Sequence, residues 1–183
     1  MQIAKLNYNQ KILKYIILVL VGTVALTISS KIKIPFYPVP MTMQTFVVLF
    51  LGISFGYKIG LATVGLYLFE GIIGIPVFAS SPEKGVGVVY FFGPTMGYLI
   101  GFLLATFLAG YMNLKTNIFL IFLKLSLSVS VIYILGMLWL GYLVGWDKPI
   151  FLMGAKPFLL AELFKVFLLT IMTRGIINLR KII

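Results

Sequence analysis

Apolar runs long enough to cross a bilayer recur along most of this chain and leave little of it for anything else. A spanning helix needs about 20 mostly apolar residues, because the hydrocarbon core is about 30 Å thick and a helix rises about 1.5 Å per residue. The first run covers residues 12–30, behind a basic start at Lys5, Lys11 and Lys14. It exceeds the roughly 7–15 residues of a signal-peptide core, so it reads as a retained helix. Pro- and Gly-rich interruptions divide the remainder into segments 43–55, 57–74, 94–112, 117–145 and 157–179. The expected fold is an all-α integral membrane protein of about six transmembrane helices, with residues 1–183 forming a single transmembrane domain. Segment 43–55 is short and crosses only if it tilts into neighbouring protein or extends from a Thr42 cap. Segment 117–145 reaches roughly 43 Å and must tilt or project. Pro94 suits the first turn of its helix, where no amide donor is needed.

Composition agrees and narrows the function. Of 183 residues, 61% are hydrophobic and 10% charged, against about 25% charged in a soluble domain. Cysteine and histidine are absent, which removes disulfides, thiolate metal sites and the commonest general base. The acids are Glu70, Glu83, Asp147 and Glu162. A rhomboid-type protease needs a serine–histidine pair, and a polyprenyl transferase needs clustered aspartates for magnesium diphosphate. Neither set exists here, so the chain reads as a non-enzyme with no cofactor. The net charge of +11 comes without a basic aromatic face or reader motif, so nucleic acid is not an expected partner. No Gly-x-x-x-x-Gly-Lys-Ser/Thr loop occurs, so any uphill transport draws on another protein for energy.

Six spans put both termini on one side, with Lys5, Lys11, Lys14, Lys58, Lys115, Arg174, Arg180 and Lys181. The other side receives Lys31, Lys33, Lys84, Lys148 and Lys156, diluted by Glu83 and Asp147. The richer side is expected to be cytoplasmic. The loops of the poorer side are longer and rich in Pro, Gly and aromatics: residues 31–40, 75–94 and 146–157. Either they form a lidded pocket opening outward, or they are helix stops with an interfacial aromatic belt.

The sharpest local feature is Pro157-Phe158-Leu-Leu-Ala-Glu162-Leu-Phe-Lys165, in which Phe158, Glu162 and Lys165 share one helix face. Ionisable groups at that depth cost at least ~2.5–3.5 kcal/mol in lipid and should face the bundle interior. They are either a self-neutralising pair, or a lysine for a substrate carboxylate beside a glutamate for substrate N–H groups. Glu70 either lines the same cavity or reaches the interface. Gln44 and Thr45 either bond a ligand or join helices. Ala25-x-x-x-Ser29 is a small-xxx-small pair suited to a partner helix, or to packing within the chain.

Four ordered segments together resemble the BioY biotin transporters, the substrate-binding S components of energy-coupling factor vitamin transporters. They are Ile34-Pro-Phe-Tyr-Pro-Val-Pro-Met-Thr-Met-Gln-Thr45, Tyr67 through Phe78, Gly93-Pro-Thr-Met-Gly-Tyr-Leu-Ile-Gly-Phe102, and Lys156-Pro-Phe through Lys165. The resemblance implies an S-component-like bundle in the bacterial cell membrane and an outward biotin pocket. It also implies a transmembrane coupling subunit with two ATPase subunits as partners, and it leaves room for self-association. It assigns biotin recognition to Glu162 and Lys165, and it maps the Gly-Pro-Thr segment onto Gly93, Pro94 and Thr95 with Tyr98 following. The chain departs from the family where Ala161-Glu162 replaces Gly-Asp, where Met96 replaces a glycine, and where Ser80-Ser81-Pro82-Glu83-Lys84-Gly85 replaces a glycine-rich loop. The alternatives are an S component for another vitamin, or a small channel or structural membrane protein.

Overall fold

In the computed structural model, residues 8–181 are described; Lys5 lies outside them. Helix α1 (Tyr8–Lys31) leads into two short strands, β1 (Lys33–Ile34) and β2 (Met41–Thr42), paired antiparallel with Lys33 opposite Thr42. Then come α2 (Gln44–Ile72), a 3-10 turn at Gly87–Phe92, α3 (Met96–Tyr111), α4 (Ile118–Val144), a short α5 (Ile150–Gly154) and α6 (Leu159–Ile176). Helices α1 and α4 each have the length and composition to cross a membrane in one run, and α2 has them over its two arms together. The expected all-α class holds.

Segments 43–55 and 57–74, expected as separate helices, are the two arms of α2, which breaks at Gly56 with φ 76° and ψ 171°. That backbone angle favours a residue without Cβ, and it reverses the chain. In one straight helix, Gln44 and Tyr67 would stand roughly 35 Å apart. Instead the Gln44 amide donates to the Tyr67 hydroxyl at 2.7 Å. The arms also touch midway, where a Cβ on Gly60 would lie 3.5 Å from the Gly52 Cα. The break strands carbonyls at the end of the first arm. Arg180 takes them up, donating from Nε to Ile53 O at 2.7 Å and from Nη2 to Gly52 O at 2.9 Å.

Small residues set the remaining contacts, because helices in lipid associate through close packing rather than hydrophobicity. Gly22 of α1 meets Thr63 of α2, and a Cβ on Gly101 of α3 would come within 2.7 Å of the Ile132 Cα on α4. The opposite face of α1 leaves Leu13, Ile17, Val21, Val24 and Ile28 exposed. Those side chains suit lipid.

Some boundaries move. Pro94 sits in a turn ahead of α3, with Thr95 at the cap position, and Pro157 sits in the 3-10 turn Lys156–Phe158 before α6. The last segment ends as α-helix at Ile176 and continues as a 3-10 turn over Ile177–Lys181. The loop over 146–157 contains α5, whose five residues are too few to show a hydrophobic period.

The three long loops gather at one end of the bundle. Ser30 donates to Val77 O at 2.7 Å, and Lys31 donates to Phe78 O and Ser81 O, both at 2.8 Å. Lys33 donates to Ala79 O at 2.6 Å. Tyr98 reaches Gly154 O at 2.8 Å, and Phe36 meets Phe158 edge to face at 5.7 Å. At the other end, Lys124 extends to Asn113 O at 2.6 Å, consistent with a snorkelling side chain.

Candidate functional site

Beneath the gathered loops lies a narrow cleft, lined among others by Val39, Thr42, Tyr90, Tyr98, Tyr133 and Glu162. Its floor begins at α6. Glu162 and Lys165 are one turn apart, each 5% exposed, and their charged groups meet at 2.6 Å. Lys165 has three protons to give. They go to Glu162 Oε1 at 2.6 Å, Thr45 Oγ1 at 3.0 Å and the Thr42 carbonyl at 2.6 Å. Thr45 in turn donates to Glu162 Oε1 at 2.9 Å. A buried ion pair persists only when such extra bonds offset its desolvation.

One atom of this cluster is left over. Glu162 Oε2 is buried and has no hydrogen-bond partner among the described residues. Tyr133 of α4 lies close enough to interact with the Glu162 carboxylate, and both residues line the cleft. A buried carboxylate oxygen without a donor costs free energy, of order 1–3 kcal/mol or more. A ligand N–H reaching it would recover that cost.

The walls are aromatic. Tyr98 and Tyr133 meet edge to face at 6.0 Å, and Phe78 stacks on Tyr90 at 4.7 Å. Behind this wall, Tyr67 stands edge-on to Phe78 at 5.4 Å and donates to Val77 O at 3.0 Å. Burial pushes the Tyr90 phenol up from its ordinary value, so it stays neutral. The segment Val39–Thr42, carrying β2, closes one side. Aromatic faces around one buried carboxylate oxygen suit an apolar ligand that carries N–H groups along one edge.

The residues expected from sequence divide into three groups. Glu162, Phe158, Thr45, Gln44, Thr95 and Tyr98 all line the cleft. Lys165 sits behind Glu162 rather than on the cleft wall, because every proton of its ammonium is taken by protein oxygens. Gly93 and Pro94 lie just outside, around a smaller recess, and Gly93 O accepts from the Trp139 indole at 2.9 Å. Glu70 lies on no part of the cleft wall.

The pair Ala25 and Ser29, expected to face a partner helix, requires correction. Ser29 is 3% exposed and donates to Leu26 O within its own helix at 2.7 Å, while Ala25 is half-buried. Ser29 lies on the buried side of α1 together with Gly22, Leu26 and Ser30. Small side chains serve that close approach, so the pair reads as packing within the chain.

Tyr133, Phe78, Tyr90 and Tyr67 were not singled out in the sequence. Tyr133 carried a weak signal, a phenol in the middle of a mostly apolar helix that also holds Lys124 and three serines. Phe78 and Tyr90 carried none, because only the folding of residues 73–95 over the helices aims them inward.

Comparison with known proteins adds an independent line. A protein-family model described as the BioY family matches residues 3–181. A probable biotin transporter BioY of Pyrococcus horikoshii is 37% identical over 143 residues, covering 78% of this chain and 83% of that protein. The biotin transporter BioY of Thermotoga maritima is 34% identical over 145 residues, covering 79% and 84%. Among solved structures, the S-component for biotin from an ECF-type ABC transporter superposes with a TM-score of 0.76. That match has 26% identity and covers 93% of each chain.

Proposed function

The chain belongs to the BioY family, and from that premise we propose that it is the biotin-capturing subunit of a vitamin uptake system in the cell membrane. It carries biotin as cargo and holds no resident cofactor. The observation that carries the reading is Glu162 Oε2, a buried carboxylate oxygen without a donor, on the wall of an otherwise aromatic cleft. Biotin presents a ureido edge with N–H donors, an apolar bicyclic body and a carboxylic acid tail. A charge-assisted bond from one ureido N–H to Oε2 is worth about 1.5–3 kcal/mol. The ring system would lie between Tyr98, Tyr133 and Phe158.

In this reading Lys165 is a positioning residue. It holds Glu162 by Oε1, which leaves Oε2 for the ligand. Thr45 does the same from the first arm of α2, and Glu162 thereby serves where relatives use an aspartate. Uptake then requires a partner module, a transmembrane coupling subunit with two ATPase subunits, and both termini on its cytoplasmic side. What supports that orientation is the charge of the opposite end, where Lys58 and Arg180 line a broad concavity.

The test is calorimetric titration of the detergent-purified chain with biotin, with desthiobiotin in parallel. Saturable binding at micromolar biotin or below is expected, with desthiobiotin retained because it keeps the ureido edge. Folded protein that takes up no heat at micromolar biotin would overturn the assignment.

A further inference from the structure

The cleft has an annex on its loop side. Pro38, Ser80, Lys84, Gly93 and Pro94 surround a small recess that shares Tyr90 and Thr95 with the main cleft. The same three segments build both spaces, each displaced by a residue: Pro38 beside Val39, Ser80 beside Ala79, Pro94 beside Thr95. The main cleft reaches down to Phe102, Ile132 and Glu162 on the helices, whereas loop residues line the recess. The recess thus forms the loop end of the site, here called its mouth, with Tyr90 and Thr95 standing between the two spaces.

Lys84 is the cation of this mouth. Its side chain is exposed, and the ion pairs among the described residues are Asp147–Lys148 and Glu162–Lys165. Its neighbours are otherwise engaged: Lys31 and Lys33 hold the carbonyls of residues 78–81, and Lys165 is bonded within the floor. The Lys84 ammonium stands 5.8 Å above the Tyr37 ring. An exposed cation–π contact of this kind is weak, about 0.5–1 kcal/mol, and an arriving anion readily replaces it. The two ends of the cavity are thus chemically opposite. The floor offers a hydrogen-bond acceptor, and the mouth offers an unpaired ammonium.

We propose that Lys84 forms a carboxylate subsite: the acid tail of the ligand passes between Tyr90 and Thr95 and pairs with the Lys84 ammonium. This rests on the biotin reading of the floor and makes the free acid, rather than its amide or ester, the preferred cargo. It also accounts for a tail anion that does not need Lys165, whose protons are already taken.

The experiment compares biotin with biotin amide, which keeps the ureido head and loses the charge. Both are titrated into the parent chain, Lys84→Gln and Lys84→Arg. The parent should bind the acid about fivefold more tightly than the amide, the scale of a partly exposed ion pair. Lys84→Gln should bring the acid down to the amide's affinity and leave the amide unchanged, while Lys84→Arg keeps the preference. A thermal melt shows that the exposed substitution leaves the fold intact. If the parent binds biotin and Lys84→Gln keeps the parent's acid-to-amide ratio, the subsite is refuted and the floor reading stands. If the parent binds neither compound, both fall together.

Discussion

Replacing Lys165 by methionine isolates what the buried pair does. Both partners are 5% exposed and their atoms stand 2.6 Å apart. Removing one member of such a pair strands the other's charge and typically costs about 3–5 kcal/mol. Here the Thr45 hydroxyl still donates to Glu162 at 2.9 Å, which offsets about 1 kcal/mol. A net cost near 3 kcal/mol follows, or roughly 6–12 °C in melting temperature for a chain of this size. Without the bond from Lys165 to Oε1 the carboxylate is no longer held with Oε2 towards the cleft, so biotin affinity should fall about tenfold or more. Adding Glu162→Gln to Lys165→Met removes the stranded charge. The double variant should therefore recover about 2 kcal/mol of stability without recovering binding. Thermal melts and calorimetry on the three variants read both quantities. If Lys165→Met melts and binds like the parent, Lys165 neither compensates Glu162 nor positions it, and the argument for the floor is refuted.

Three further outcomes follow from the geometry. Gly71→Ala drives a methyl into the Phe78 ring, so it should cost about 1–3 kcal/mol in a melt and weaken biotin binding by displacing the Phe78–Tyr90 stack. Arg180→Leu leaves the Gly52 and Ile53 carbonyls without their donors; a melt should show a loss of about 2 kcal/mol, with biotin affinity kept because the cleft lies at the other end. Tyr133→Phe removes a hydroxyl that interacts with the Glu162 carboxylate, and calorimetry should show biotin binding weakened about threefold to tenfold with little change in stability.

The solvent, the class of fold and the shared face of Glu162 and Lys165 were legible in the amino-acid order. Long apolar runs can be satisfied only as helices in a bilayer, since every backbone group must find its partner within the chain. Charges as rare as Glu162 and Lys165 inside such a run must face the interior, so their shared helix face was legible from spacing alone. Tertiary structure decided which of these groups is open to a ligand. Helical spacing brings Glu162 and Lys165 together, but it does not say that Thr42 and Thr45 also claim the lysine's protons. Those partners arrive from more than 100 positions earlier, as the 123- and 120-residue separations record. The reversal at Gly56 was readable as a glycine between two apolar segments, yet the seating of Gln44 on Tyr67 depends on how tightly the arms close. Ala25 and Ser29 show the same limit from the other side. A small-residue motif signals close approach but not the identity of the neighbour; Ser29 lies on the buried side of α1 with Gly22, which meets Thr63 of α2. The walls of the cleft were least visible, because Phe78 and Tyr90 enter it through a loop anchored by the lysines of α1 and β1. Local pattern fixes which face of a helix turns inward. Only the meeting of distant segments fixes what waits there.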